Sequence, residues 1–481
     1  MQPLRNHTNL VQFWLPVLGA LALIVAGIAQ EQPLLLALPF AALLLYAVLQ
    51  VSLKELFFLL LFCIPLSTER EMGGSLSLDI PDEPLMLLLT GGLIGYFILQ
   101  PRLFPKAALR STLFTVLVLQ LLWMLLAVVF SFNHLLSIKY LLAKIWYIVP
   151  FVLGSLLFLQ QPVDFTRAVR LLTGALLLTV VVILVRHAAA GFTFESINFV
   201  LDPFYRNHVS YSAQIVLLFP VVTLAWQQST GRLRNVLLLL LTVLLVALFF
   251  AYSRGAWLAL LAGWFTWVAL RRRLLLQLLW AAVIAATLGI SWLIRDDNFM
   301  RFAPDHDKTF FRTDFREHMA ATYELKDIST MERFYRWVAG VRMVKQEWLT
   351  GFGPNTFYGY YKNYAVSAFK TWVSDNPERS TVHNYFLLIT IEQGIPALLL
   401  FLVLLYLMYQ TAVRGYYQLQ HRFDRMLAGL SAVLLSTILT LNLLSDLIET
   451  DKVGSFYFIT LGLLIRTEYL LRTTEQTGTG A

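Results

Sequence analysis

Three basic groups, Arg254, Arg333 and His383, lie in or beside one long polar stretch that runs from Arg295 to His383. The stretch holds 13 Lys/Arg and 12 Asp/Glu, so 25 of the 66 charged residues occupy less than a fifth of the chain. His383-Asn384 opens an apolar run. A helix start carries positive partial charge, which keeps an imidazole neutral and able to act as a general base. The same helix end favours an anionic ligand, although a histidine that only caps a helix at a membrane interface is an equal account. Arg254, in Ser253-Arg254-Gly255, stands at the edge of another apolar run. A charge there is costly unless paired or hydrated and is a functional candidate, with snorkelling to the interface as the alternative. We expect the three to form one reaction site on the far side of a membrane.

Secondary candidates surround them. Glu392 lies nine residues beyond His383, roughly 13 Å along a helix, where a carboxylate needs a partner; it could orient His383 or pair with an arginine. Arg206 and His208 precede an apolar run on the same side, where solvent-facing loop residues are an equally good account. Lys139 and Lys144 are expected at the outer face, where they could contact a lipid pyrophosphate. Glu69, Glu71, Asp79, Asp82 and Glu83 could hold a divalent cation but lack a tight DxD. No P-loop, HExxH or paired-cysteine spacing occurs, so neither a metal nor a cofactor is expected. The single Cys63 lies in an apolar run and leaves no intrachain disulfide.

The elements that must position these groups are membrane spans. The chain is 58% hydrophobic and 14% charged, with mean hydropathy +0.67, against about a quarter charged in a soluble domain. We expect an all-α polytopic membrane protein of about 12–14 transmembrane helices. Fourteen candidate spans lie near 10–29, 33–50, 53–66 (short), 84–100, 111–131, 144–161, 168–187, 209–227, 234–250, 254–270, 274–294, 384–409, 426–447 and 453–471. The first is read as a retained helix rather than a signal peptide. With a cytoplasmic N-terminus, alternate connectors carry Lys54; Arg102, Lys106 and Arg110; Arg167 and Arg170; Arg232 and Arg234; Arg271 to Arg273; and Arg414, Arg422 and Arg425. That is the positive-inside pattern. It places both termini inside and the large loop outside. The net charge of +8 is thus topological, and no nucleic-acid partner is expected. The domain reading is a helical bundle over 1–294, a large outer loop over 295–383, and C-terminal helices with a short tail over 384–481.

Within the loop, Ser329 to Leu349 predicts a helix. Ser329 and Glu332 have capping-box spacing, and Phe334, Trp337, Val341, Val344 and Trp348 recur at helical period. Arg333 and Arg336 then fall one turn apart and can face the same way. Gly351 and Gly353-Pro354 stop the helix. The aromatic run from Thr356 to Tyr364 suits either sugar stacking or anchoring at a membrane interface.

Three stretches together resemble the O-antigen ligase/polymerase superfamily: SRGAWLAL from Ser253, ERFYRWVAGVRMVKQEWLTGFGPNTF from Glu332, and HNYFLLITIEQGIPALLLF from His383. Their order, their spacing and the large loop agree over roughly Arg206 to Leu405; Ala397 stands where a second glycine is usual. The first 200 residues are similar only in being hydrophobic spans. The resemblance implies a metal-independent, inverting GT-C-type glycosyltransferase in the bacterial inner membrane. Its donor would be a glycan on undecaprenyl pyrophosphate at the periplasmic face, and its acceptor lipid A-core or another glycan. By motif, Arg254 and Arg333 would bind the pyrophosphate and His383 would activate the acceptor hydroxyl, with Arg206, His208, Arg336, Asn384 and Glu392 in support. The planar fork of arginine matches phosphate oxygens, and such a leaving group needs fixed positive charge beside it. The competing class is a transporter of the lipid-linked glycan or of a small anion. It should show repeated halves and broken helices with mid-membrane charges, and no internal repeat is evident.

Overall fold

The computed structural model describes residues 52–71, 77–100, 105–302, 328–367, 370, 374–376 and 379–478. The chain divides into two units, Met1–Phe57 and Phe58–Ala481. The spans expected near 10–29 and 33–50, and residues 303–327 of the polar loop, lie outside the described residues.

Long apolar runs in a membrane must satisfy their own backbone groups, which favours helices. Among the described residues the helices longer than eight residues are α1 (Leu53–Cys63), α2 (Asp82–Leu99), α3 (Thr112–Val129), α4 (His134–Phe158), α5 (Pro162–Ala189), α6 (His208–Gln228), α7 (Gly231–Phe250), α8 (Arg254–Arg271), α9 (Leu275–Ile294), α10 (Ile328–Gln346), α11 (Tyr385–Gln418), α12 (Arg422–Asn442) and α13 (Asp451–Gly478). Among the described residues nine of them, α2 to α7, α9, α11 and α12, are long and apolar enough to cross a membrane. The protein is an all-α polytopic membrane protein. Strands β1 (Thr68–Glu71) and β2 (Ser77–Ile80) make one antiparallel hairpin, with Thr68 opposite Ile80.

Helix α12 is the centre of the bundle: 72% of its apolar window is buried, against none for α9, whose faces are left for lipid. Helix α8 runs antiparallel along α12. A Cβ on Gly263 would meet Thr437 Oγ1 at 2.8 Å, and one on Gly429 would meet Trp267 at 3.2 Å. The two helices therefore approach more closely than larger residues would allow.

Helix α11 is broken. Gly394 sits at φ +80°, ψ 173°, and Pro396 follows, so the ladder cannot continue through this point. The released backbone groups find partners elsewhere. Ile391 O accepts from Phe352 N and Glu392 O from Gly353 N, both at 2.9 Å. Gln393 O accepts from Trp123 Nε1 at 2.9 Å, and Ile395 N donates to Trp348 O at 2.8 Å. The loop after α10 is therefore stitched into the break, and a side chain on Gly394 would overlap Leu349 O.

Candidate active site

The site is built on α10, the helix expected within the polar loop. Its bonds reach the strand-like residues that lead into α11. Arg336 donates to Thr381 O at 3.2 Å, and Trp337 Nε1 donates to Val382 O at 2.9 Å. These two bonds hold the backbone immediately before His383. Arg336 is itself fixed by Glu332 at 3.3 Å, whose other oxygen accepts from Ser374 Oγ at 2.5 Å. The Glu332 carboxylate is thus spent on Arg336 and Ser374. The R-x-x-x-W spacing has a mechanical meaning: Arg333 is one turn before the tryptophan that pins the histidine.

His383 adopts φ +54°, the left-handed region that a non-glycine residue enters at a cost, as is frequent at functional sites. Asn384 follows as the N-cap of α11, accepting from Leu387 N at 2.9 Å and donating to Leu443 O at 3.0 Å. The imidazole is about one-third exposed, with Nδ1 3.9 Å from Asp446 Oδ1. Burial, then the charge of Arg336, then that of Arg333, hold its pKa down to about 3. His383 is therefore neutral at any physiological pH, as a base requires. Burial pushes the Asp446 carboxyl up, and a hydrogen bond from the Thr381 side chain opposes it.

The structure thus brings Arg333, Arg336, His383 and Asp446 together. Arg254 is the first residue of α8. Because α8 is antiparallel to α12, the start of α8 and the turn that carries Asp446, beyond the end of α12, share one end of the bundle. His208 begins α6, and its Nδ1 lies 3.0 Å from Asn198 Oδ1. Phe194 meets both the His208 ring and the Tyr252 ring, at 6.1 and 5.6 Å. This links His208 to the segment that leads into Arg254. Arg206, just before α6, is exposed.

Three expectations change. Lys144 is not at an outer surface: α4 starts at His134, capped by Asn133, and Lys144 is buried inside it, 2.8 Å from Glu449. Lys139 lies on the same helix, exposed. Glu392 neither orients His383 nor meets an arginine; it accepts from Asn355 N at 2.8 Å and Phe357 N at 3.1 Å. The aromatic run is split, with Phe357 and Tyr361 stacked at 4.9 Å and buried, while Tyr358 stays 36% exposed. Of the acidic residues near the hairpin, Glu83 accepts from Asp79 N at 3.2 Å and Asp82 from Glu83 N at 3.1 Å. The first of these bonds ties β2 to the start of α2, and the second lies within α2.

The residue that the sequence reading missed is Asp446. Its signal is the short polar connector Ser445-Asp446-Leu447-Ile448-Glu449-Thr450-Asp451 between the last two apolar runs, of which the span expected to 447 takes in Asp446. The helix stops at Asn442.

A polytopic helical membrane protein with a neutral imidazole, a carboxylate and arginines gathered at one end of its bundle defines the class. Residues 236–402 match the family model described as O-Antigen ligase, which supports the resemblance to the O-antigen ligase/polymerase superfamily over that stretch. No curated protein matches the chain.

Proposed function

We propose that this protein transfers a glycan from undecaprenyl pyrophosphate to an acceptor hydroxyl, lipid A-core or a growing glycan, at the periplasmic face of a bacterial inner membrane. Both termini are then cytoplasmic, and the polar loop and the site face outward. The observation that carries the reading is the placement of His383, its Nδ1 3.9 Å from Asp446 Oδ1 and the backbone just before it held by Arg336 and Trp337 of α10.

In this mechanism Arg333 and Arg254 hold the pyrophosphate and offset the charge that grows on it as it departs. The acceptor oxygen attacks the anomeric carbon and forms the new C–O bond. The bond from that carbon to the pyrophosphate oxygen breaks, its electron pair leaves with the lipid pyrophosphate, and configuration inverts. His383 takes the acceptor proton. With Nδ1 on the side of Asp446, 3.9 Å from its Oδ1, Nε2 is the nitrogen left to face the hydroxyl, and the Asp446 carboxylate lies where it can stabilise the imidazolium.

Purified protein in nanodiscs, loaded with an undecaprenyl-pyrophosphate-linked glycan, should release lipid pyrophosphate in step with glycan transfer. Acceptors offered in parallel distinguish a polymerase, which lengthens the glycan, from a ligase, which modifies a lipid or protein. Glycolipid that crosses a sealed bilayer without pyrophosphate release would instead support the transporter reading.

A further inference from the structure

A carboxylate about nine residues into a span, in a site that handles an anion, should be an encumbrance. Glu392 is 4% exposed, and it spends both oxygens on backbone N–H groups of the loop that follows α10. That loop is already bonded to the break in α11 through Trp348, Phe352 and Gly353. Gly351, at φ +68°, leaves no room for a side chain, because a Cβ would lie 2.5 Å from the Glu392 carbonyl carbon. On α10 itself, a Cβ on Gly340 would lie 2.6 Å from Ile391 Cδ1.

These contacts close a ring. At one point α10 grips the residues before His383 through Arg336 and Trp337. At the other, the loop at its end is gripped by Glu392, on the same helix that His383 opens. The backbone bonds of Trp348, Phe352 and Gly353 tie the loop to the break in α11, and the Glu392 carboxylate fixes the loop's next turn, so that where α10 sits along α11 is set at both of its ends. We propose that Glu392 is a positioning residue that sets the distance of Arg333 and Arg336 from His383 by clasping the loop from Asn355 to Phe357. The carboxylate suits this task because it accepts from two N–H groups at once. A glutamine in its place presents one oxygen and turns an N–H toward the other donor.

The test is the reactivity of His383 toward diethylpyrocarbonate, which modifies only neutral imidazole, followed from pH 4.5 to 8 by mass spectrometry of the full-length protein in nanodiscs. It needs no substrate, so it stands or falls apart from the transferase reading. In the wild type the rate constant for His383 should stay flat across pH 6.5. In Glu392→Gln it should fall on the acid side with a midpoint moving toward 6.5, as the arginines and the packing that suppress protonation draw away. The second arm rests on the transferase reading: kcat/KM should drop about 10- to 100-fold, the scale on which small misplacements act. Arg466→Met, at the other end of the bundle, should leave the His383 profile unmoved. Glu392→Asp, which keeps the carboxyl group but withdraws it by one methylene, serves if the glutamine variant does not fold. A wild-type reactivity profile in whichever of the two variants folds would overturn the proposal, whether or not transfer is detected. A shifted profile without detectable transfer would uphold the positioning role and count against the transferase reading alone.

Discussion

The two ends of the bundle treat charge in opposite ways. At the end of α13 each arginine meets its own carboxylate. Arg466 lies 2.6 Å from Asp424, Arg472 2.6 Å from Glu468, and Arg414, at the end of α11, 2.5 Å from Glu475. Glu468 also accepts from Thr112 N and Leu113 N at the start of α3, where a helix dipole favours an anion. At the opposite end, burial first and then the charges of Arg336 and Arg333 lower the pKa of His383, with Asp446 3.9 Å away. Paired charge at one end is fastening. At the other, two arginines stand beside a base, Arg336 also paired with Glu332, and the cluster suits a ligand that carries negative charge.

The contrast can be broken by substitution, most severely at the base. His383→Ala should lower transfer about 10²- to 10⁴-fold, the usual contribution of a general base, with the folded yield in detergent unchanged by size-exclusion chromatography. Next, Arg333→Ala should reduce kcat/KM about 100-fold. Arg333→Lys should recover only part of that, because a point charge lacks the two-pronged contact with phosphate; steady-state kinetics against donor concentration checks both. Asp446→Asn should cost about tenfold or more in kcat by releasing the imidazole, with donor KM little moved.

The pH behaviour sharpens the comparison further. A base with its pKa near 3 stays neutral across the neutral range, so kcat/KM, which reports the free enzyme, should show no acid limb near 6.5. Arg336→Gln removes an adjacent cation, lets the imidazole take a proton at higher pH, and should bring that limb upward, so that the ratio of activity at pH 5 to that at pH 7.5 falls. The smallest catalytic effect belongs to the fastening end. Arg466→Met should lower thermal stability by an amount between the ~1 kcal/mol of an exposed pair and the ~3–5 kcal/mol of a buried one, while leaving the pH profile intact.

Much of this was legible in the sequence because membrane physics writes itself in composition. Each apolar run expected beyond residue 80 is a helix, and α10 follows the period of its aromatic residues. What escaped was set by tertiary pairing. Lys144 reads as an outward lysine until α4 is seen to begin ten residues earlier and to deliver it to Glu449. Glu392 reads as a partner for a charge, whereas the loop stitched into the break at Gly394 brings it the backbone donors Asn355 N and Phe357 N, which a one-dimensional pattern does not show. Asp446 was hidden because a span of apolar residues was extended through Leu443 and Leu444, although Asn442 and Ser445 mark where the helix gives way to the turn.

The most direct test of the central claim is a single-turnover comparison of wild type and His383→Ala in nanodiscs with undecaprenyl-pyrophosphate-linked glycan and acceptor, following lipid pyrophosphate and elongated or ligated product together. A general-base role for His383 predicts that both products appear at matched rates in the wild type and that both fall at least about 100-fold in the variant, with donor binding retained. Equal rates in the two proteins would contradict it.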